Sequence, residues 1–380
     1  MTKILITGAN GFIGAHLLQE LVARGHDVTC LVRCSSVLER IRRLAVRLVE
    51  GDITDRESLP AAVAGQEVVF QLAGCLRALR VEQFFEVNQQ GLSNVAWACA
   101  RLGTPPVLVA CSSLAAVGPS AAGRPRIESD RPAPVSYYGR SKWAGERALR
   151  PWADRLPITI VRPPVVFGES DRATRELFWP IARLGLHLAP GWREQRFSLI
   201  HAADLVALLI LAAERGKRIV PAAAGDSPSD AGDHPDPAVR ASGRNGHAEG
   251  QKQNGNDPEF AAREAGPSPA TQGYYFAAAE RDVTYAEFGR MIGTALGRRR
   301  TQVVHLEPVT VWTAAGVATM LGHFRGRPPY FSVDKAREAR AGSWTCSPAA
   351  AARELGFAVA APLAERIRQT ALWYREHGWL

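Results

Sequence analysis

The first half of the chain repeats one pattern: short apolar runs rich in β-branched residues alternate with longer segments whose apolar positions recur at helical spacing. The runs at 3–7, 27–33, 47–50, 68–72 and 106–111 read as strands, and the segments 12–24, closed by Gly25, and 81–102 read as helices between them. This alternation predicts right-handed βαβ crossovers and hence an α/β fold with a doubly wound parallel sheet. Further on the pattern loosens. A strand is expected at 197–201, then a helix over 205–215, capped by Asp204, with Leu205, Leu208, Leu209 and Ala212 on one face. From 221 to 272 large apolar residues nearly vanish in favour of Pro, Gly, Ser, Asp and Asn. Such a segment cannot bury enough surface to offset its ordering entropy, so a disordered insertion without catalytic residues is expected. Strand signal returns at 273–278, Thr284 is placed to cap a helix running to 296, and the closing helix carries Leu363, Ile367, Thr370 and Tyr374 on one face.

At 380 residues and 46% apolar composition the chain can bury a sizeable core. Its formal charge of +9 comes mostly from scattered arginines, with no basic block interleaved with aromatics, so no nucleic-acid partner is expected. The same field attracts a ligand bearing phosphate. The six cysteines, Cys30, Cys34, Cys75, Cys99, Cys111 and Cys346, include no C-x-x-C pair and lie mostly in apolar runs, which suits a reducing, cytoplasmic setting. The first residues lead directly into a strand, leaving no room for a signal peptide, and no uncharged apolar run reaches the length of a bilayer span. The apolar stretch 309–321, with Trp312 inside it and His323, Arg325 and Arg327 after it, reads first as a helix packed over the substrate pocket. A helix lying in a membrane interface is the alternative.

The candidate chemistry sits where strands end. Thr7-Gly8-Ala9-Asn10-Gly11-Phe12-Ile13-Gly14 leaves the first strand and opens the first helix. Gly8 permits a tight turn, Gly11 lets backbone N–H groups approach a pyrophosphate, and Gly14 lets the helix pack closely on the sheet. With the donors of a helix N-terminus behind it, this is a dinucleotide cradle. At the end of the second strand, where the adenosine ribose would lie, Arg33 followed by Cys34, Ser35 and Ser36 replaces the usual carboxylate. A guanidinium there favours a 2′-phosphate, hence NADP(H), with NAD as the alternative. Gly51-Asp52-Ile53-Thr54-Asp55 follows the third strand, Asp52 placed to accept from the adenine amino group and Asp55 to cap the next helix. Leu72-Ala73-Gly74 lets the chain pass close to the cofactor.

Ser112-Ser113 closes the fifth strand, and after a Gly- and Pro-rich loop over 118–134 comes Tyr137-Tyr138-Gly139-Arg140-Ser141-Lys142. On a helix Tyr138 and Lys142 share a face, while Tyr137 points elsewhere. An ammonium beside a phenol is expected to lower the tyrosine pKa and make it a usable general acid or base. Ser113 can donate a second hydrogen bond to the same substrate oxygen.

With these motifs, and with Val87-Asn88, Arg162-Pro163 and Glu354-Leu355-Gly356-Phe357, the chain resembles the extended short-chain dehydrogenase/reductase superfamily, often described as the NAD-dependent epimerase/dehydratase family. The resemblance covers nearly the whole chain outside the insertion. It implies a Rossmann-type domain over 1–164 and 197–219 and a smaller substrate-binding lid domain over 165–196 and 273–380. It also implies that Tyr138 exchanges a proton with the reacting oxygen, Lys142 also bonds the nicotinamide ribose, Ser113 polarises the carbonyl, and Asn88 supports the site through its helix. Cofactor contacts then fall on Gly8, Asn10, Gly11, Phe12, Ile13, Gly14, Arg33, Asp52, Ile53, Leu72, Ala73, Gly74, Tyr138, Lys142, Pro163 and Val165, and no metal site is expected.

Departures from the family pattern narrow the substrate. Ser113-Leu114-Ala115 lacks the Thr-Asp-Glu of sugar-nucleotide 4,6-dehydratases, and Val117-Gly118-Pro119 and Val165 stand where many epimerases carry Tyr-Gly and Asn. The runs 112–119 and 162–168 look more like the 3β-hydroxysteroid dehydrogenase and dihydroflavonol reductase branch. Apolar groups in place of an amide and a phenol point to an apolar or cyclic ketone or alcohol. Between 167 and 196, Phe178, Trp179 and Trp192 mix with Arg172, Arg175, Arg193 and Arg196 in the family's substrate lid. The reading is therefore an NADP(H)-preferring oxidoreductase of a small-molecule ketone or alcohol. A nucleotide-sugar epimerase using the same residues and a non-catalytic dinucleotide sensor are the alternatives, and a homodimer stays open.

Overall fold

The computed structural model describes residues 1–190, 194–221 and 271–380. The insertion expected at 221–272 lies almost wholly outside the described residues, as do Trp192 and Arg193. Strands β1 (Lys3–Thr7), β2 (Asp27–Val32), β3 (Arg47–Glu50), β4 (Val68–Gln71), β5 (Val107–Cys111) and β6 (Ile158–Arg162) join a seventh, Tyr274–Phe276, in one parallel sheet. The seventh strand lies at one edge beside β6, followed by β5, β4, β1, β2 and β3. In register, Ile6 of β1 faces Cys30 of β2 on one side and Phe70 of β4 on the other. The strand order reverses between β1 and β4, and a crevice beyond the carboxyl ends of two such strands is where α/β sheets take ligands.

Helices cover both faces. On one, α1 (Phe12–Ala23) buries Leu17, Leu18 and Leu21 against the sheet. On the other lie α2 (Pro60–Val63), α3 (Val81–Phe85), α4 (Leu92–Ala100) and α5 (Tyr137–Leu149), with Val95, Leu149 and Ile158 in one core. The predicted helix over 81–102 is interrupted by a π-helical turn, Glu86–Gly91, between α3 and α4. The widened turn holds Asn88, which is buried, and such turns recur at functional sites. Asp55 caps as expected, its carboxylate accepting from the Glu57 N–H at 3.1 Å, but the helix it opens is a single 3-10 turn, Arg56–Ser58.

The remaining elements build a third core around Phe178, Phe288, Ile367 and Tyr374. It is formed by α6 (Arg172–Leu184), α8 (Tyr285–Ala295) and α12 (Leu363–Glu376). Before α8, Thr284 makes the predicted cap and closes a capping box with Glu287. The expected strand 197–201 divides into Arg196–Phe197 and Leu199–His201 around the buried Ser198, whose hydroxyl accepts from the Cys346 N–H at 2.9 Å. Helix α7 (Ala202–Arg215) starts earlier than predicted, with His201 rather than Asp204 as its N-cap. Asp204, in the first turn, is taken instead by Arg366 at 2.6 Å and the Ala360 N–H at 3.0 Å, because a buried carboxylate is better satisfied by a guanidinium than by its own helix.

The apolar stretch near 309–321 is helix α9 (Pro308–Phe324), which packs with α10 (Val333–Arg340) through Val311, Ala315 and Ala336. Its other face is open, with Val309, Val317, Met320, Leu321 and Phe324 exposed. It is therefore not the fully packed pocket cover expected from its composition: the short, charged α10 is too narrow to bury both sides of it. After α10, α11 (Ala349–Leu355) returns the chain to the first core. Among the described residues no helix is long and apolar enough to cross a membrane.

Candidate active site

The cradle is set by contacts no side chain could share. Gly8 has φ +73°, and a Cβ there would stand 2.7 Å from the Ala73 nitrogen. At Gly14 a Cβ would stand 2.1 Å from the Gly8 carbonyl oxygen. The end of β1 thus touches the chain leaving β4, and α1 begins against the turn. Thr7 completes the join: its hydroxyl donates to Gln71 at 2.5 Å and accepts from the Ala73 N–H at 3.2 Å. Gly11 is the N-cap of α1 and no side chain caps that helix, so the donors of its first turn, at Phe12 and Ile13, are left for an anion. Bare backbone at the switch point, too tight for any Cβ, fits a dinucleotide pyrophosphate.

Beyond this turn, Arg33, Asp52, Ile53, Leu72, Ala73, Gly74 and Pro163 of the predicted contact set follow the carboxyl ends of strands, while Tyr138 and Lys142 lie on α5 and Val165 opens a short strand of its own. Arg33 follows β2, exposed, with its N–H on the Ser36 hydroxyl at 3.0 Å. Asp52 follows β3 and has one carboxylate oxygen occupied by the Thr54 N–H and hydroxyl, both at 2.9 Å. Ile53 is buried beside it. Pro163 follows β6, its carbonyl accepting from the Leu114 N–H at 2.8 Å, and Val165 is 47% exposed.

Ser113 is held from two sides. Its neighbour Ser112 donates from its backbone to the Val161 carbonyl at 2.8 Å and from its hydroxyl to Glu146 of α5 at 2.5 Å. Glu146 is buried and paired with the equally buried Arg162 at 2.6 Å, a locking contact between β6 and α5. Helix α5 is capped by Ser136, whose hydroxyl accepts from the Gly139 N–H at 2.9 Å. It presses close to its neighbours because two positions lack a Cβ. One at Gly139 would meet the Ala115 carbonyl oxygen at 2.4 Å, and one at Gly145 the Asn88 carbonyl oxygen at 2.2 Å. That approach packs Tyr138 on Ala115, whose N–H donates to the Ser113 hydroxyl at 3.1 Å, and brings Ser113 near enough to act on the phenol.

Lys142 lies one turn along. Its Nζ donates to the Cys111 carbonyl at 2.9 Å and stands 3.3 Å from where a Cβ of Gly74 would be. Asn88 fastens the same corner: its Oδ1 accepts from the Cys75 N–H at 2.8 Å, while its Nδ2 donates to the Cys75 carbonyl and the Ser141 hydroxyl, both at 2.9 Å. Both N–H donors of Asn88 are used inside the protein, so its side chain ties the chain after β4 to α5.

The electrostatics correct one expectation. Burial pushes the Tyr138 phenol well above its ordinary range, and the hydrogen bond from Ser113 only partly offsets it. Burial likewise draws the Lys142 ammonium below its usual value, against the raising influence of Cys111 and Glu146. Helical spacing alone predicted a lowered tyrosine pKa; desolvation outweighs it here, and the ammonium is directed to a backbone carbonyl instead.

Helix α10 contributes residues that sequence reading missed. The two carboxylate oxygens of Asp334 accept from the Tyr137 N–H at 2.8 Å and the Tyr138 N–H at 3.2 Å, capping α5 across the fold. Lys335 places its Nζ 4.8 Å from the centre of the Tyr138 ring, and Glu338 accepts from the Ser136 hydroxyl at 2.6 Å. Ser136 was legible as a cap three residues before Gly139; Asp334 had no local signal at all.

A protein described as ceramide reductase from Caulobacter vibrioides is 37% identical over 207 residues, 54% of this chain and 59% of that protein. Human 3 beta-hydroxysteroid dehydrogenase type 7 is 31% identical over 209 residues, 50% of this chain and 55% of that one. The chain thus spans little more than half the length of these curated relatives. Among solved structures, UDP-glucose 4-epimerase from Thermotoga maritima superposes with a TM-score of 0.69 at 18% identity, covering 99% of both chains. The profile of the NAD dependent epimerase/dehydratase family matches residues 4–223, and the chain belongs to that family.

Proposed function

We propose that this chain interconverts a ketone and a secondary alcohol on an apolar or cyclic substrate, preferring NADP(H). Ser113, Tyr138 and Lys142 do the work. The observation that carries the reading is that buried Tyr138 packs on Ala115, in the turn that Ser113 caps at the end of β5, with Lys142 one helical turn further along. When bound, the nicotinamide supplies the hydride exchanged with the substrate carbon. Gly8 to Gly14 hold the pyrophosphate, Arg33 takes a 2′-phosphate, and Lys142, at the corner formed by Gly74 and Cys111, bonds the ribose. Residues 1–164 and 197–219 form the cofactor domain in this reading, with 165–196 and 273–380 closing over the substrate.

In reduction, Ser113 and Tyr138 both donate to the substrate oxygen, and Tyr138 delivers its proton as the carbon receives the hydride. Tyr138 stands protonated at neutral pH, the form reduction needs, while its burial makes it a weaker acid than an ordinary phenol, so proton delivery depends on the Ser113 and Lys142 groups beside it. Val117, fully buried, and Val165 supply no hydrogen bond for a sugar, and the names of the relatives, a ceramide reductase and a hydroxysteroid dehydrogenase, agree with an apolar substrate.

Tyr138→Phe tests the reading. Against a panel of cyclic and long-chain ketones, turnover is expected to fall about 10²–10⁴-fold, with NADPH affinity by tryptophan quenching unchanged. Undiminished turnover in the variant would remove Tyr138 from the chemistry. Isomerisation of a nucleotide sugar without net NADPH consumption would establish the epimerase reading instead.

A further inference from the structure

Helix α9 has one face that nothing among the described residues covers. Val309, Thr313, Val317, Leu321 and Phe324 follow at steps of three and four, so they form a single stripe, with Met320 beside it. Val309 is 76% exposed and Phe324 80%. An open groove of about 590 Å³ runs along this stripe.

The surroundings of the stripe identify what fits it. At its C-terminal end, His323 Nε2 is 3.2 Å from the Leu79 carbonyl oxygen, and the Arg77 guanidinium lies 3.8 Å from the centre of the Tyr330 ring. These contacts join the loop 76–80 to the end of α9. The joined surface exposes Leu76, Phe324, Tyr330 and Phe331 together with Arg77, Arg80, Arg325 and Arg327. Between Glu307 and Asp334 the chain carries two arginines and no acidic residue, and residues 75–81 add two more arginines, again with no acidic one. Apolar side chains and aromatics rimmed by arginine match an anionic bilayer surface, where the apolar stripe enters the acyl boundary and the guanidinium groups meet phosphate. A second copy of the same face would offer these arginines no acidic partner, which disfavours a homodimer here.

We propose that α9 and the loop 76–80 dock the protein on a bilayer containing anionic lipid. The face borders the candidate site: the loop starts from Cys75, which Asn88 holds, and α9 leads into Asp334 and Lys335 at Tyr138. Docking there would set the bilayer on the side of the protein whose loop and helix lead to Tyr138, which suits an apolar substrate. That last step rests on the oxidoreductase reading; the docking does not.

Flotation of the full chain with vesicles of phosphatidylcholine alone, or mixed with phosphatidylglycerol, tests the docking. The wild type is expected to float with the mixed vesicles and to be released by salt. Val317→Asp with Phe324→Asp, and separately Arg325→Glu with Arg327→Glu, should each weaken binding about tenfold or more, all side chains being exposed, with NADPH quenching unchanged. Equal binding by the variants, or no binding to either vesicle, overturns the proposal. A solution dimer dissolved by the aspartate pair, without vesicle binding, assigns the face to a second copy and overturns it as well. Tyr138→Phe should float like the wild type, so loss of turnover and loss of docking are separate results.

Discussion

Arg33 is exposed just beyond the end of β2, and in the proposed reading it replaces the carboxylate that would bond the ribose hydroxyls and repel a 2′-phosphate. Its N–H on Ser36 folds the chain back, so Ser35 and Ser36 share that corner. Arg33→Glu should weaken NADPH binding by about 1.5–3 kcal/mol, the worth of a charge-assisted hydrogen bond, and leave NADH binding unchanged or tighter. Titration of tryptophan fluorescence with both nucleotides measures it; an unchanged preference would place the selecting group elsewhere. Tyr138 carries a different lesson at this scale. Its neighbour four positions on was expected to activate it, yet burial governs its proton affinity, because a phenolate in that setting loses more hydration than one partly compensated ammonium returns.

Helix α5 carries the phenol and the lysine on a single rigid element, and its first turn is fastened by α10, nearly two hundred residues later in the chain. Asp334 satisfies two N–H donors that α5 cannot satisfy itself, and a carboxylate at a helix N-terminus also complements the macrodipole. Asp334→Ala should cost about 1–2 kcal/mol of stability. If the cap also sets the Tyr138 position, kcat falls while the KM for NADPH holds, and Asp334→Asn, which keeps one of the two acceptors, recovers part of the loss. Equal kcat in the alanine variant and the wild type, with stability lowered, would reduce Asp334 to a structural cap. The π turn at Glu86–Gly91 works similarly: the extra residue in the turn brings Asn88 inward to Cys75 and Ser141.

Across the molecule, the third core joins the elements after β6, and it contains a histidine held neutral. His187 is 2% exposed, its Nε2 has no hydrogen-bond partner among the described residues, and Gly289 packs so closely that a Cβ there would meet the ring at 2.3 Å. Burial pulls its pKa below the ordinary 6.5, against the raising effect of its bond with the Tyr285 backbone. Since the unfolded chain takes up the proton first, stability is full above about pH 6.5 and declines as pH falls below it. Urea unfolding between pH 7.5 and 5.5 should show that decline, and His187→Asn, which cannot titrate, should flatten it. His16, lowered chiefly by burial too, leaves a residual slope in the variant. Identical slopes in the two proteins would assign the acid sensitivity to other groups.

What the sequence by itself determined was everything carried by local spacing. The glycine turn, the capping Asp55 and Thr284, the parallel strands and the Tyr138 and Lys142 face each depend on residues within a few positions of one another, where backbone geometry leaves few choices. Tertiary structure decided what depends on distant chain coming together. Asp204 reads as a cap until Arg366 takes its carboxylate, and the burial of Glu146 between Arg162 and Ser112 has no local signal. Asp334 reaches Tyr138, and α9 keeps an open face, because of how the C-terminal helices pack, and the free energy of those contacts has no trace in local sequence. The pKa of Tyr138 belongs to the same class: desolvation is a property of the whole surrounding fold, which spacing along a helix cannot express.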